Sequence, residues 1–565
     1  MVLPTAPPAS LSVSQILTEF GIAAGTQKRI SNDLFPLVGG TAGATCSLAA
    51  SFSGKSAVVG GVYNSAASIF GVGANCRGVA ISPSDGSIYV CGWFTSSSGC
   101  PISNFATNPS GTSGTLPGSS IGRVFVAKWN SSGTYQGAAI VYSATTGPTG
   151  MSVACDSTGA VYLGGYYYES TTVTTFATNP SGSAGTLPAP STVAGYVAKW
   201  NSSGVYQGSA IVSTAYATGQ GITVDSSDNV LLCGYYNASS AISNFGTNPS
   251  GTSGTLPAPS GIGSFIAKWN SSGVYQGSAY VDGSTTTEIG VAVKGDSAGN
   301  VYLCGYYNAS SAISNFGTNP SGTAGTIPSP SGQGSFIVKW NSSGVYQSSA
   351  YVDGAGSETA QNITVDSSNN VYLTGTSATT TANISNFGTN PSGTAGSIPV
   401  PSSGGLAFIA KWNSSGVYQG AAIFFGASYP GGTSAACDSN GNIYMGGNYG
   451  GAASVSNFAT NPSSSAASLP APLYGGSADF VVKWNSSGTY QTAALVGNPA
   501  NTVGVTGITT DSSRNIYLCG YYYGNGSTCG ITSFATTPNQ SSSAGNLPAP
   551  SGDNSIRGFI VKWSA

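Results

Sequence analysis

One composite motif returns seven times along this chain: an acidic turn of the D-S-x-x-N-x-Y type, a proline-rich insert, then K-W-N-S-S-G-x-Y-Q, cut short as KWSA in its last copy. The tryptophans that mark it are Trp129, Trp200, Trp269, Trp340, Trp412, Trp484 and Trp563, spaced by 71, 69, 71, 72, 72 and 79 residues. Aspartates keep step with them at Asp85, Asp156, Asp225, Asp296, Asp366, Asp438 and Asp511. A fixed period of this kind makes each repeat one supersecondary unit that buries its apolar face only by stacking on its neighbours. It also changes how conspicuous residues are read, because a side chain present in every repeat is first of all a building part.

The third copy shows how a repeat divides. GITV (Gly221–Val224) runs into the polar cluster DSSDN, which reads as a tight turn, and NVLLCGYY (Asn229–Tyr236) follows as a second strand. The insert ISNFGTNPSGTSGTLPAPSGIG breaks both helix and strand with its proline and glycine. SFIAKWN (Ser264–Asn270) alternates as a third strand, SSG makes a hairpin turn, and VYQGSAYV (Val274–Val281) is a fourth. Four locally connected strands per repeat, repeated radially, predict an all-β fold: a seven-bladed β-propeller of four-stranded blades with a repeat of about 70–73 residues. The seventh repeat supplies only three strands, and Ser56–Ser65 ahead of the first resembles the missing fourth. Ala57–Tyr63 is therefore expected to pair with Phe559–Lys562 and close the ring, removing two free sheet edges. The domain division is 1–55 as an N-terminal docking segment and 56–565 as the propeller, with 56–65 as the closing strand.

Composition narrows the function classes. Only 6% of residues are charged, where a typical soluble domain has about 25%, and the net charge is −2. No basic patch marks a nucleic-acid footprint, and no apolar run reaches the ~20 residues of a membrane span. The N-terminus MVLPTAPPASLSVSQ has neither the basic nor the apolar region of a secretory signal. The chain has no histidine, which removes the commonest general base, metal ligand and nucleophile partner. Its ten cysteines include no C-x-x-C pair, so zinc of the usual spacing is not expected. Most read as small buried core residues, while Cys91 with Cys100 and Cys519 with Cys529 are close enough in sequence for a disulfide.

DSAGNVYLCGYY (Asp296–Tyr307) followed by FIVKWNSSG (Phe336–Gly344) resembles the bacterial β-propeller repeats known as SBBP repeats, whose pattern is D-x-x-G-N-x-Y-x-x-G-Y and then F-x-x-K-[YW]-x-x-x-G. The resemblance covers residues from about 57 to 565 and implies a fold and little chemistry. The first copy departs with SPSDGSIYVCGW and the fifth replaces GYY by GTS, so local irregularity is expected in those blades. In the first 55 residues, LSVSQILTEFG places Leu11, Val13, Ile16, Leu17 and Phe20 at the spacing of a short amphipathic helix ended by glycine. With ISNDLFPLVGG and CSLAASFSGKSA after it, the segment resembles an N-terminal module of phage and large DNA virus tail and other structural proteins. That resemblance implies docking on other virion structural proteins, with the alternative that the helix merely caps the propeller.

The repeated acids are candidates for turn chemistry rather than catalysis or calcium binding, because each turn offers too few carboxylates. The lysine at Lys128, Lys199, Lys268, Lys339, Lys411, Lys483 and Lys562 is expected to pair with a turn aspartate or lie over the tryptophan face. The remaining acids, such as Glu19, Glu169, Glu288 and Glu358, are scattered. N-x-[ST] patterns at Asn130, Asn201, Asn270, Asn341, Asn413 and Asn485 fall in hairpin turns, which explains them without glycans. The clusters Tyr166–Tyr168, Tyr235–Tyr236, Tyr306–Tyr307 and Tyr521–Tyr523 are candidate sugar platforms, though alternate positions must pack between blades. The proline-rich inserts are expected on one side or on the rim, as a partner surface. The expectation is a non-enzymatic virion structural protein, on tail or capsid, without cofactor. The alternative is a cell-surface adhesin or lectin-like module whose blade loops bind a glycan or a host receptor, and a carbohydrate-active propeller enzyme is the remote third reading.

Overall fold

The computed structural model describes residues 61–564, apart from 72, 214, 284–286, 379–380, 400–404, 427–430, 473–476, 498–501, 524–527, 540–542 and 550–555. The docking segment expected over 1–55, with its helix, lies outside the described residues. What is described is a β-propeller: seven antiparallel sheets, whose innermost strands touch one another in cyclic order, the last back to the first.

Each sheet has six strands, and this overturns the four-stranded blade. The third repeat supplies four of them as a meander, Ala217–Val224, Val230–Tyr236, Gly263–Trp269 and Tyr275–Gly283. The outer two, Ser311–Ile313 and Gly325–Ile327, belong to the insert of the fourth repeat. The proline-rich insert is therefore not a loop. It folds back as a short hairpin along the outer edge of the preceding sheet, so every repeat is hydrogen-bonded into its neighbour. Its proline and glycine mark the hairpin tip, and the three-residue strands between them are too short to show a period-2 pattern.

The edges that result are protected. Asn248 in the third insert accepts hydrogen bonds on Oδ1 from the N–H and hydroxyl of Thr186 in the second, at 3.1 and 2.7 Å. Asn319 does the same for Thr255 and Asn390 for Thr326, and Asn108 of the first insert accepts the Asn546 N–H of the last. These contacts stitch inserts along the rim and cover short edge strands that would otherwise invite pairing.

The closing strand is Val62–Ile69, downstream of the expected position. It pairs Ser65 with Lys562 and Ser68 with Phe559. The register follows the side chains: VYNSAASI matches the fourth-strand pattern VYQGSAYV, with Tyr63 at the place of Tyr275. Each tryptophan lies buried behind the insert of its own repeat. Trp269 donates from Nε1 to the Ser243 carbonyl at 2.8 Å, and its ring meets the edge of Phe245 at 6.0 Å. The same bond runs from Trp129 to Ser103, Trp200 to Thr174, Trp340 to Ser314, Trp412 to Ser385, Trp484 to Ser456 and Trp563 to Thr532. A buried indole N–H needs such an acceptor, and its recurrence fixes the insert against the third strand. The fifth sheet keeps the common register despite its GTS sequence, contrary to the expected irregularity.

Candidate binding face

The first and second strands meet at one face of the ring, and there the repeated acids lie. Asp156 accepts the N–H of Thr158 and Ala160 on Oδ1 at 3.0 and 2.9 Å, and the Tyr162 hydroxyl on Oδ2 at 3.0 Å. Asp296, Asp366 and Asp438 repeat that arrangement with Tyr302, Tyr372 and Tyr444, and Asp511 bonds Asn515 and Tyr517. In the third repeat Leu231 replaces the tyrosine, and the Lys268 ammonium takes the vacated position 2.9 Å from Asp225. Burial works against the Asp225 charge, but bonds from Lys268 and Asn229 outweigh it and lower the carboxyl pKa.

Elsewhere the lysine lies over the tyrosine, not over the tryptophan as expected. Lys199 sits 5.0 Å from the Tyr162 ring and Lys339 5.3 Å from Tyr302. Lys199 also donates to the Ser271 carbonyl in the next repeat at 2.8 Å, joining neighbouring blades. In the first copy Ser82, whose N–H bonds Ser87, occupies the place of the aspartate, while Asp85 lies within a turn one residue longer. The side-chain oxygens of these turns are bonded to their own loops, to Lys268 in the third repeat, or across blades, as Asp228 accepts from Ser157 and Asn369 from Ser297, and no group of three metal-ligating side chains occurs among the described residues.

The asparagine of each NSSG turn acts on its own backbone. Asn270 Oδ1 accepts the N–H of Ser272 and Val274 at 3.1 and 2.9 Å. Gly273 has φ +79°, and a Cβ there would stand 2.5 Å from that of Phe245, so only glycine fits. Among the scattered acids, Glu288 and Glu358 occupy matching places in adjacent repeats, accepting the N–H of Gly283 and Gly354 at 3.0 and 2.8 Å. Cys91, Cys100, Cys519 and Cys529 are buried free thiols, not the disulfides that were open from sequence.

The ring encloses a central channel of about 600 Å³. Every innermost strand carries a β-bulge at the same height, with the extra residue Arg77, Met151, Gln220, Val291, Gln361 or Thr506 lining the channel. A bulge turns one side chain out of the ladder, and the residue at this position differs between most repeats. At the face opposite the acidic turns, the second strands end in Trp93, Tyr166, Tyr235, Tyr306 and Tyr521, on five consecutive blades across the ring closure. Thr376 and Asn448 hold this position in the other two. The first tyrosine of each GYY pair is half-exposed, and the second, Tyr167, Tyr236, Tyr307 or Tyr522, is buried between blades. Tyr168, 39% exposed, packs edge-on against Tyr166 at 5.8 Å, and Tyr216 meets Tyr235 at 6.0 Å. A hydrogen-bond interaction in which the Tyr216 hydroxyl donates to Tyr235, then burial, pushes the Tyr216 hydroxyl up to about 12. The platform was visible as GYY, whereas the channel residues carried no sequence signal because a bulge is invisible without the partner strand.

No protein-family model matches the chain. A curated relative, an uncharacterized WD repeat-containing protein of Acanthamoeba polyphaga mimivirus, is 27% identical over 183 residues, or 28% of this chain. The matched region spans 12% of that relative's length. Among solved structures, Raptor of Chaetomium thermophilum aligns over 90% of this chain and 30% of its own, at 7% identity and a TM-score of 0.37. A leech intramolecular trans-sialidase aligns over 79% of this chain and 64% of its own, at 10% identity and a TM-score of 0.31. At those scores the chemistry must be read from this chain's own side chains.

Proposed function

We propose that this protein is a virion structural component whose propeller is a non-enzymatic interaction scaffold, held to other virion proteins through residues 1–55. The observation that carries the viral part is the mimivirus relative, 27% identical to this chain over 183 residues. The scaffold part is supported by the repeated ionisable groups, whose bonds run to their own turns or to the next blade. The polar, weakly charged exterior suits a molecule held in an assembly. The test is incorporation. Full-length chain and a chain lacking residues 1–55 are expressed during infection, and purified particles are analysed by mass spectrometry. The full-length chain is expected in particles and the truncated one only in the soluble fraction; equal incorporation of both, or absence of the full-length chain from particles, refutes the proposal.

A further inference from the structure

The tyrosine-rich mouth and the bulge layer beneath it differ from the rest of the molecule in being built of residues the repeat does not need. Arg77 is the clearest case. It lines the channel from the bulge of the first innermost strand, two residues below the Trp93 partner Asn75. Its Nε is buried and has no hydrogen-bond partner among the described residues. The described residues thus leave the guanidinium charge uncompensated, and an anion in the channel would meet it with charge-assisted hydrogen bonds. Lys294, an exposed residue, adds a second cation further along the same channel. No acidic side chain stands among the described residues that line the channel. Gln220, Gln361 and Thr506 lie at the height of Arg77 and offer neutral donors and acceptors.

The geometry points to this mouth as a binding site for the end of an acidic saccharide chain, one sugar stacked on the tyrosine crescent and its carboxylate or sulfate directed to Arg77. The chemistry matches on three counts. A pyranose has an apolar face and a hydroxyl edge, and half-exposed tyrosines present the complementary face and polar tip. A channel of about 600 Å³ holds one or two sugar units and lies within the usual range of small-ligand pockets. Tyr521 of the crescent borders the channel itself, and Trp93, Tyr166, Tyr235 and Tyr306 continue the aromatic row round the same end of the ring, with Thr376 and Asn448 completing it. The site does not depend on where the protein resides: it stands or falls on ligand binding, and the virion reading on particle incorporation.

The experiment is titration calorimetry of the full chain with three tetrasaccharides, a polygalacturonate fragment, a sulfated heparin fragment and neutral maltotetraose. The wild type is compared with Arg77→Gln, Tyr235→Ala and, as a control on the opposite face, the 47% exposed Val274→Ala, all verified by circular dichroism to be folded. At least one acidic tetrasaccharide is expected to bind ten-fold or more tightly than maltotetraose, and which one identifies the anionic group. Arg77→Gln is expected to abolish that preference, Tyr235→Ala to weaken binding about ten-fold, and Val274→Ala to change nothing. No binding of either acidic probe by folded wild type, equal affinity for the neutral probe, or a preference untouched by Arg77→Gln overturns the inference.

Discussion

Asp479 gives the sharpest test of how this fold is held together. It lies in the strand Ala478–Trp484, opposite Asn448 and Val496, and is completely buried. The equivalent residues of the other sheets are Val124, Gly195, Ser264, Ser335, Ala407 and Gly558, all small or apolar. Neither carboxyl oxygen has a hydrogen-bond partner among the described residues; the Val505 N–H lies near enough to favour the charge but outside bonding geometry. Burial therefore pushes the carboxyl well above the usual carboxylate range, and the folded protein keeps a proton that the unfolded chain gives up near pH 4. Because the folded pKa is raised, the native state binds the extra proton. Stability is then fullest at low pH and falls by about 1.4 kcal/mol per pH unit as pH rises towards the folded pKa. Asp479→Ser removes this slope, with Ser264 and Ser335 as precedents for the side chain. Urea unfolding of wild type and variant at pH 5, 6 and 7 is expected to show a gap in the variant's favour that widens with pH. Parallel pH dependences, or a variant less stable at pH 7, would refute the reasoning.

Glu358 acts in the same direction but saturates. Burial, opposed by bonds from Ser377 and Gly354, pushes its carboxyl up to about 7, so Glu358→Gln should stabilise increasingly from pH 5 to 7 and no further above it, as read by thermal melts across pH. Lys268→Met should cost about 2–3 kcal/mol by leaving Asp225 without its cation, whereas Lys199→Met, which loses a ring contact and one carbonyl bond, should cost about 1 kcal/mol. Equal costs in urea unfolding would show that the ion pair is no stronger than the tyrosine arrangement it replaces. Ala67→Pro removes a donor from the closing ladder opposite Ile560 and should cost roughly 2–3 kcal/mol. Limited proteolysis should then cut first near the N-terminal strand, and an unchanged cleavage pattern would argue that closure is not the weak point.

How much could be read in advance depended on whether a signal was local to one repeat. The tryptophan period, the DSSDN turn and the SSG hairpin are each complete within a few residues, and the strands they delimit lie where the sequence places them. The lysine is different: Lys268 pairs with a turn aspartate as the sequence suggests, but Lys199 and Trp200, adjacent in sequence, point to opposite faces of a strand, and that lysine therefore meets Tyr162 across the ladder instead of the tryptophan. The same alternation explains why only the first tyrosine of each GYY pair is available at the mouth.

The insert failed for a deeper reason. Its strands gain their hydrogen bonds from the preceding repeat, so no window of one repeat contains the pairing that makes Ser311–Ile313 a strand. This also explains the tolerance for proline and glycine there: the hairpin is held by Asn319, by Phe316 against Trp340, and by the neighbouring sheet rather than by its own propensity. A blade built partly from the next repeat cannot complete its outer edge alone, and the ring must close for the last sheet to receive its fourth strand and the first insert together. Closure is thus a condition of each blade's stability and not an ornament on a finished array. It frees the one layer that closure does not use, the bulges and the aromatic mouth, to differ between repeats. A layer free to vary, on a scaffold many of whose positions are set by packing, is what a binding site on a repeat protein requires.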